Sequence, residues 1–370
     1  MRFAVALVIF LGSVPSLVIA QELVPDTEII VRARVIEIIA QETLPIVGTD
    51  VTALNQTIRA EIVEGVKGGD EVIVENDYIR LREGETFYMR YRTDIDGTEY
   101  FSVADPYRLP FLFGLVALFV LVVAIFGGTQ GLRGLASLVG GLFLIVYLLL
   151  PGILAGYSPV FVAIGVASLI IGVGSFVTHG FNRTTLAAVF GMIATILFTG
   201  ALAWASIYFG RLTGFETEEA VYLHFNTGGT IDFAGLLLGG VLIGLLGVLY
   251  DIAIGQAVSV EEIKRAGQNL HAGEVYARAI RIGREHTGAL VNSLAIAYVG
   301  VSLPLLLLFY NSGAGNFLLN MNREIFATEI VRTMVGSIGL VLAVPITTLI
   351  SVWLLTGRSG LNNKGHMHIH

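Results

Sequence analysis

The chain has 370 residues, of which 55% are hydrophobic and only 14% are charged. Soluble domains carry about 25% charged residues, so this composition excludes an ordinary soluble protein and predicts that the lipid bilayer is the solvent for most of the chain. The net charge of −7 gives no basic surface for nucleic acid, and the lack of cysteine excludes disulfides and thiolate metal sites.

The first twenty residues have the pattern of a secretory signal peptide. Arg2 precedes an apolar run over residues 3–20, and Ala20 stands before the polar pair Gln21 and Glu22. This order predicts cleavage after Ala20. An uncleaved signal anchor is the alternative, because the apolar run is close to the length that spans a bilayer. Whether the signal is cleaved or stays as an anchor, residues 21–108 are expected outside the cytoplasm.

Residues 21–108 predict a small β domain outside the cytoplasm. Apolar and polar residues alternate there, β-branched types are frequent, and Asp96-Gly97 permits the positive φ of a hairpin turn. We expect about five strands in a small open barrel, which either binds a partner or serves only for packing. The strand patterns cover residues 28–38, 57–63, 70–75, 86–92 and 99–103.

Residues 109–356 predict a transmembrane helical domain. Each of seven apolar stretches can cross about 30 Å of hydrocarbon, at about 1.5 Å per helical residue. These stretches cover residues 109–126, 132–150, 159–178, 185–209, 233–250, 287–310 and 333–356. The predicted fold is therefore an α-helical polytopic membrane protein, with about seven transmembrane helices after a signal peptide and a small N-terminal extracytoplasmic β domain.

The distribution of basic residues predicts the orientation. With residues 21–108 outside, nine Lys and Arg residues fall in the cytoplasmic loops and the tail 357–370, against three in the external loops between spans. This excess satisfies the positive-inside rule, so we expect the N-terminal domain outside the cytoplasm and the C-terminus within it.

The long cytoplasmic loop, residues 251–286, predicts an amphipathic helical hairpin at the membrane surface. Ser259 and Glu262 have the spacing of a capping box that would open a first short helix, and a second helix is expected from about Gly273. Arginines that face lipid headgroups would explain the charge of this hairpin. A gate or a partner-binding site is the alternative.

Small residues recur at spacings of three and four in the third and fifth predicted spans. They predict close helix contacts, and would permit a homo-oligomer, because backbones approach where side chains are small. These residues are Gly165, Ser168, Gly172 and Ser175 in the third span, and Gly235, Gly239, Gly240, Gly244 and Gly247 in the fifth.

Asp251 is the main functional candidate among the polar residues. It stands where the fifth span reaches the cytoplasm, and a carboxylate at the membrane edge is unfavourable unless it is solvated or paired. An ion pair with Arg284, or a capping role in the hairpin, is the alternative. Asn292 is expected at the same depth on the sixth span, and Tyr298 continues the polar side of that span.

Pro304 and Pro345 are candidates to break the sixth and seventh helices, and broken helices often line transport sites. Ordinary proline kinks are the alternative. The sequence contains no phosphate-binding loop, nucleophile motif or zinc-ligand cluster. We therefore predict neither an enzyme nor a cofactor.

A series of motifs resembles, in order, the YibE/F family of bacterial multispanning membrane proteins. At Glu285 and His286 the family pattern is expected to have an acidic residue followed by an apolar one. Glu285 keeps the expected charge, but His286 places an imidazole where an apolar side chain is expected. The resemblance implies a multi-pass protein of the bacterial plasma membrane and names no substrate. The motifs lie at residues 68–76, 106–108, 127–132, 150–154, 178–185, 250–253, 282–288, 292 and 297–300.

These observations favour a transporter or permease for a small solute or ion. The residues expected along its path are Asp251, Arg284, Glu285, Asn292 and Tyr298. The alternative is a membrane scaffold or sensor whose exported β domain binds a partner in the cell envelope.

Overall fold

The computed structural model describes residues 28–45, 52–65, 67–93, 98–311 and 317–356. The chain forms two compact units, Met1–Phe119 and Val120–His370. The predicted signal peptide, the Asp96-Gly97 turn and the tail 357–370 lie outside the described residues.

A closed five-stranded barrel lies in the first unit. Neighbouring strands pair antiparallel, except that β3 and β5 run parallel. The small five-stranded β domain is confirmed, but the barrel is closed and not open as predicted. Its strands are β1 (Glu28–Pro45), β2 (Thr52–Glu64), β3 (Glu71–Asn76), β4 (Thr86–Thr93) and β5 (Glu99–Pro106).

Within the described residues, the barrel interior is apolar except for the buried amides of Gln56 and Asn76. Alternate residues of the strands, such as Ala33 and Val35 of β1, point inward and are buried. The buried Gln56 amide accepts hydrogen bonds from the Leu81 N–H at 2.9 Å and the Asn76 amide at 3.0 Å, and donates to the Leu81 carbonyl at 3.0 Å. The Gln56 amide is therefore satisfied, as a buried polar group must be.

Helices make up most of the chain after the barrel. They are α1 (Leu109–Leu144), a π-helical turn (Ile145–Leu149), α2 (Leu150–Leu154), α3 (Pro159–His179), α4 (Arg183–Gly210), α5 (Glu218–Asn226), α6 (Phe233–Ala266), α7 (Ala272–Val301), α8 (Leu303–Asn311), α9 (Phe317–Asn322) and α10 (Glu324–Thr356).

Five helical stretches in the described chain are long and apolar enough to cross a membrane, or six if α7 and α8 form one bent span. The first, Leu109–Leu154, is 46 residues long and contains both the first and the second predicted spans. Its backbone is non-helical at Gly128, with φ 52° and ψ −142°, between those two predicted spans. These helices identify a membrane protein, and the number of seven crossings stays a prediction.

α4 and α10 pack antiparallel along a seam of small residues. Gly191 faces Thr347 and Gly339 faces Thr199, so closely that a Cβ at Gly191 would lie 2.9 Å from the Thr347 Cα. Among the residues that the structure describes, neither threonine hydroxyl has a hydrogen-bond partner. The Thr347 hydroxyl oxygen lies 2.6 Å, and the Thr199 hydroxyl oxygen 2.5 Å, from the position that a Cβ would take on the facing glycine.

The glycines singled out from the sequence make fewer close contacts than predicted. Gly239 of α6 packs against α3, where its Cβ would lie 3.3 Å from the Ala163 Cβ. A Cβ at Gly165, Gly172 or Gly240 would meet nothing within 4 Å. The close seam is therefore between α4 and α10, where threonines alternate with glycines, and not along the glycine-rich spans.

The predicted short helix opening at Ser259 is wrong. α6 continues without a break to Ala266, and the Ser259 hydroxyl donates to the Gly255 carbonyl at 2.8 Å inside it. A serine within a helix often bonds the carbonyl four residues before it and so need not cap. The second helix of the hairpin begins at Ala272, close to the predicted Gly273, and the Glu274 carboxylate accepts from the His271 N–H at 3.0 Å.

The two prolines behave differently. α7 ends at Val301 and α8 begins at Leu303, with a bend of 69° between them beside Pro304. Pro304 cannot donate to the Gly300 carbonyl, so the helical ladder is interrupted there. Pro345 lies inside the continuous α10, so the predicted break of the seventh helix is wrong.

Candidate functional site

Asp251 lies within α6 and lines two cavities. It is the nineteenth residue of that helix, about 27 Å along it from Phe233 at about 1.5 Å per residue. One cavity, which we call the Tyr250 cavity, has a volume of about 580 Å³ and lies between α1, α3 and α6. The other, the His286 cavity, has a volume of about 390 Å³ and lies between α6, α7 and α10.

The Tyr250 cavity is mostly apolar. Leu138, Ile170 and Leu246 are among its lining residues, and the polar side chains include Ser137 and Thr178. It therefore offers a hydrophobic surface next to the Asp251 carboxylate.

The His286 cavity brings together four polar side chains, those of Asp251, Gln256, Ser259 and His286. Gln256 is buried between α6 and α10, where the Thr348 hydroxyl donates to its carbonyl oxygen at 3.4 Å. A carboxylate, an amide, a hydroxyl and an imidazole can bind a cation or a polar solute by charge and hydrogen bonds.

The position of Gly283 explains why α6, α7 and α10 meet at this cavity. Its Cα lies against the Gln256 amide and against Val344 of α10, and a Cβ there would overlap both. A residue without a side chain is therefore needed for this approach of the three helices.

The structure separates the five residues predicted for the transport path. Asp251 lines the cavities, whereas Arg284 and Glu285 are exposed and line neither of them. Within the described residues, Asp251 makes no side-chain hydrogen bond and no ion pair, so the predicted alternative of an Asp251–Arg284 pair is wrong. Of the two residues at the departure from the expected family pattern, His286 lines the His286 cavity and Glu285 does not.

Asn292 lies level with Asp251 but outside both cavities. The contacts of Gln256 with Gly283 and of Gly244 with Tyr298 set the antiparallel register of α6 and α7. This register puts Asp251 beside residues 289–291, and Ala289 and Leu290 line the His286 cavity with it. The register therefore agrees with the prediction that Asp251 and Asn292 lie at the same depth. The Asn292 side chain, however, is exposed and does not line either cavity.

Tyr298 belongs to a second polar region, 12 residues along α7 from His286, or about 18 Å at about 1.5 Å per residue. Its hydroxyl lies 3.6 Å from the position that a Cβ at Gly336 would take. Nearby, the Ser302 hydroxyl donates to the Glu329 carboxylate at 3.1 Å, and Arg332 pairs with Glu329 at 2.5 Å. We call Ser302, Glu329 and Arg332 the Glu329 cluster.

Glu329 was not among the predicted residues, because the last apolar stretch begins at Thr333 and leaves Glu329 and Arg332 in the preceding external loop. α10 instead begins at Glu324, whose carboxylate accepts hydrogen bonds from the Thr213 and Gly214 N–H groups. The spacing of Glu329 and Arg332, three residues apart, fits one helix face and could have indicated a longer helix.

An apolar layer lies between the two polar regions. Leu290 and Leu294 of α7 pack there in one cluster with residues of α6 and α10. The partners include the fully buried Leu245 and Leu249 of α6, and Leu340 and Val344 of α10. The Asp251 side of this layer and the Glu329 side are therefore separated by closely packed hydrocarbon.

In the described part of the chain, no group of three or more His, Cys, Asp or Glu side chains could hold a metal ion. Asp251 and His286 are two such side chains in one cavity. The donors present suit an ion or solute held by several weak contacts better than a tightly bound transition metal.

A comparison with known protein families gives one match. A family model described as YibE/F-like protein matches residues 115–357, which are 243 of the 370 residues. This range contains the Asp251 site and the Glu329 cluster, but it excludes the barrel and the resemblance noted at residues 68–76. No curated protein and no solved structure matches the chain.

Proposed function

Because the chain belongs to the YibE/F-like protein family and has several helices apolar enough to cross a membrane, we propose that it is a transporter or permease for a small solute or ion. The observation that carries this proposal is the pair of polar regions, at Asp251 and at Glu329, on either side of an apolar layer. A permease needs binding groups on both sides of a barrier that opens transiently.

The charges favour a cationic or polar neutral solute. Asp251 has no ion-pair partner within the described residues and lines the His286 cavity together with the Gln256 amide and the Ser259 hydroxyl. An anion would be repelled by this carboxylate, whereas a cation would neutralise it. The Glu329 carboxylate, already paired with Arg332, would receive the solute beyond the apolar layer by exchange of that ion pair.

We infer that the protein lies in the bacterial plasma membrane with the turn between α6 and α7 in the cytoplasm. The excess of basic residues on that side supports this orientation. Asp251 would then be the binding group at the cytoplasmic end, and the barrel would lie outside the cytoplasm.

The first test compares the elemental and small-metabolite content of cells that lack the protein, cells with it restored, and cells with Asp251→Asn. We expect one solute to follow the parent protein and not Asp251→Asn, because the amide removes the charge and keeps the shape. Glu262→Gln is the matched control, since Glu262 is an exposed carboxylate of α6 that pairs with Arg265.

A solute identified in this way is then measured in vesicles that contain the purified protein. Flux that is equal for the parent and for Asp251→Asn, with both proteins folded, would contradict the proposed role of Asp251. Equal contents in all the cells, under several growth conditions, would favour the scaffold hypothesis.

One feature of the barrel supports the alternative of a scaffold or sensor. Arg90, Arg92, Tyr100 and Ser102, on the paired strands β4 and β5, line a surface cleft of about 390 Å³. Two arginines and an aromatic ring suit an acidic partner. Tyr100→Glu is expected to abolish capture of such a partner from the cell envelope and to leave solute content unchanged. Loss of solute flux in Tyr100→Glu would count against an independent role for the cleft.

A further inference from the structure

A third cavity lies at the N-terminal end of α6. It has a volume of about 580 Å³ and lies between the start of α3, the end of α4 and the start of α6. We call it the Arg211 cavity. It does not include Asp251, His286 or the Glu329 cluster, so the proposed transport path does not account for it.

The wall of the Arg211 cavity is aromatic and largely exposed. Phe161, Trp204 and Tyr208 are 78%, 59% and 65% exposed, and the Trp204 and Tyr208 rings stack at 5.6 Å. All three residues belong to helices that are candidate membrane spans. Tryptophan and tyrosine at the ends of spans typically lie at the level of lipid headgroups.

Two opposite charges line the same cavity without pairing with each other. The Arg211 side chain, at the end of α4, has no ion pair or side-chain hydrogen bond within the described residues. Asp232 accepts a hydrogen bond from the Gly235 N–H at 3.0 Å through one carboxylate oxygen, as the N-cap of α6. The cavity therefore offers a cation and an anion beside an apolar groove.

We propose that the Arg211 cavity binds a phospholipid with an ethanolamine headgroup. The lipid phosphate would bind Arg211, the primary ammonium would bind Asp232, and an acyl chain would lie along Phe161 and Trp204. Arginine suits phosphate because its planar fork donates two parallel hydrogen bonds. A purely anionic headgroup would leave Asp232 unpaired, and a choline headgroup has no N–H to donate to it.

The chain contains two tryptophans, Trp204 and Trp353, which allows a direct test. Trp353→Phe leaves Trp204 as the reporter of the cavity, and Trp204→Phe leaves Trp353, which is 72% exposed, as a reporter of bulk lipid. The full chain is placed in phosphatidylcholine vesicles that contain increasing fractions of phosphatidylethanolamine with brominated acyl chains, which quench tryptophan fluorescence.

We expect the quenching of Trp204 to correspond to a local fraction of ethanolamine lipid about fivefold above the fraction in the vesicle. This ratio is what one favourable headgroup contact of about 1 kcal/mol supplies. Trp353 is expected to follow the bulk fraction. Equal quenching of the two reporters would overturn the proposal. Displacement of the lipid by an equal concentration of glycerophosphoethanolamine, which has the headgroup without chains, would show that the apolar groove contributes nothing. A soluble zwitterion would then be the occupant, and the proposal would be overturned.

Three substitutions in the Trp353→Phe chain separate the two charges. Asp232→Asn still caps α6 and should abolish only the preference for ethanolamine over choline lipid. Arg211→Asn, which tolerates the left-handed backbone at this position (φ 52°), should abolish the preference for phospholipid over brominated diacylglycerol. Arg323→Gln is the control and should keep both preferences. Retention of both preferences in Arg211→Asn and Asp232→Asn would overturn the assignment of these residues.

Discussion

At the scale of single residues, Gly283 determines how closely α6, α7 and α10 meet at the His286 cavity. A methyl group at this position would overlap the Gln256 amide and Val344. We expect Gly283→Ala to lower the free energy of unfolding by about 1–3 kcal/mol, because overpacking forces neighbouring side chains out of place.

Thermal unfolding of the full chain in detergent measures this effect. Gly288→Ala is the matched control, because Gly288 lies on the same helix and a Cβ there would meet nothing within 4 Å. Gly288→Ala should be neutral or stabilising, because alanine favours the helix more than glycine does. Equal loss of stability in the two variants would mean that the contact with Gln256 does not decide the outcome.

The ion pair of Lys67 and Glu99 on the barrel predicts a dependence of stability on pH. The hydrogen bond between them raises the pKa of Lys67 and lowers the pKa of Glu99 from their ordinary values. The Glu99 contribution is present above its ordinary pKa and is lost as the pH falls through the lowered value. The Lys67 contribution is present below its ordinary pKa and is lost as the pH rises through the raised value.

Glu99→Gln is therefore expected to lower the unfolding temperature of the barrel at neutral pH and to have no effect in strong acid. Both side chains are partly exposed, so added salt should reduce the difference. The measurement is the difference between the unfolding temperatures of the parent and the variant, followed across pH. A difference that persists in acid would attribute the effect to a change in the hydrogen bond that the Tyr91 hydroxyl donates to residue 99, and not to the ion pair.

The polar residues of the site were only partly predictable from the sequence. Asp251 stands out because it is a carboxylate at the end of an apolar run. Gln256 and Ser259 do not stand out, since an uncharged polar residue in a helix is as common on a solvated face as in a cavity. Their meeting with His286 depends on the contact of α6 with α7 at Gly283, and no local pattern encodes that contact.

At the scale of the elements, the 69° bend between α7 and α8 separates the Tyr298 region from the following hydrophobic helix. In Pro304→Ala the new N–H can donate to the Gly300 carbonyl, so we expect the helix to straighten. Because the chain has no cysteine, spin labels can be attached at Ile296→Cys and Leu307→Cys without background.

The distance between these labels should increase by about 3 Å on straightening, from the helical rise of about 1.5 Å per residue. Pro345→Ala, in the continuous α10, is the control and should leave the distance unchanged. An unchanged distance in Pro304→Ala would show that packing, and not the missing N–H, holds the bend.

Helix existence was more predictable from the sequence than helix ends. The apolar runs identified the helical stretches, but α6 extends 16 residues past the predicted end of its span at Tyr250. Asp251 ended the apolar run without ending the helix, and the charges of its last turns, Glu262, Lys264 and Arg265, also lie inside it. They do not interrupt it because the buried Val260 still packs against Val275, so the apolar face continues.

At the scale of the whole molecule, the distribution of basic residues predicts on which side of the membrane each segment lies. Glu71→Cys in the barrel and Arg278→Cys on α7 place a thiol at two exposed positions. We expect a membrane-impermeant maleimide to label Glu71→Cys in cells with an intact inner membrane. Arg278→Cys should be labelled only after that membrane is permeabilised.

The parent chain, which has no cysteine, gives the background of this measurement. Labelling of Arg278→Cys in intact cells would reverse the orientation and place the His286 cavity on the outer side. The predicted orientation depends on how the basic residues are divided between the two sides of the bilayer. The accessibility of the two cysteines to the maleimide in cells therefore tests it directly.

The reciprocal seam of Gly191 with Thr347 and Thr199 with Gly339 has a consequence for motion. α4 and α10 are in close contact at these two points, which lie about two helical turns apart. Sliding or rotating one helix against the other would therefore cause a steric clash at both points. In the proposed permease, α4 and α10 would therefore stay together as one rigid unit, and opening of the apolar layer would require α6 and α7 to move against them. The helices that move would then be α6 and α7, which carry Asp251 and His286.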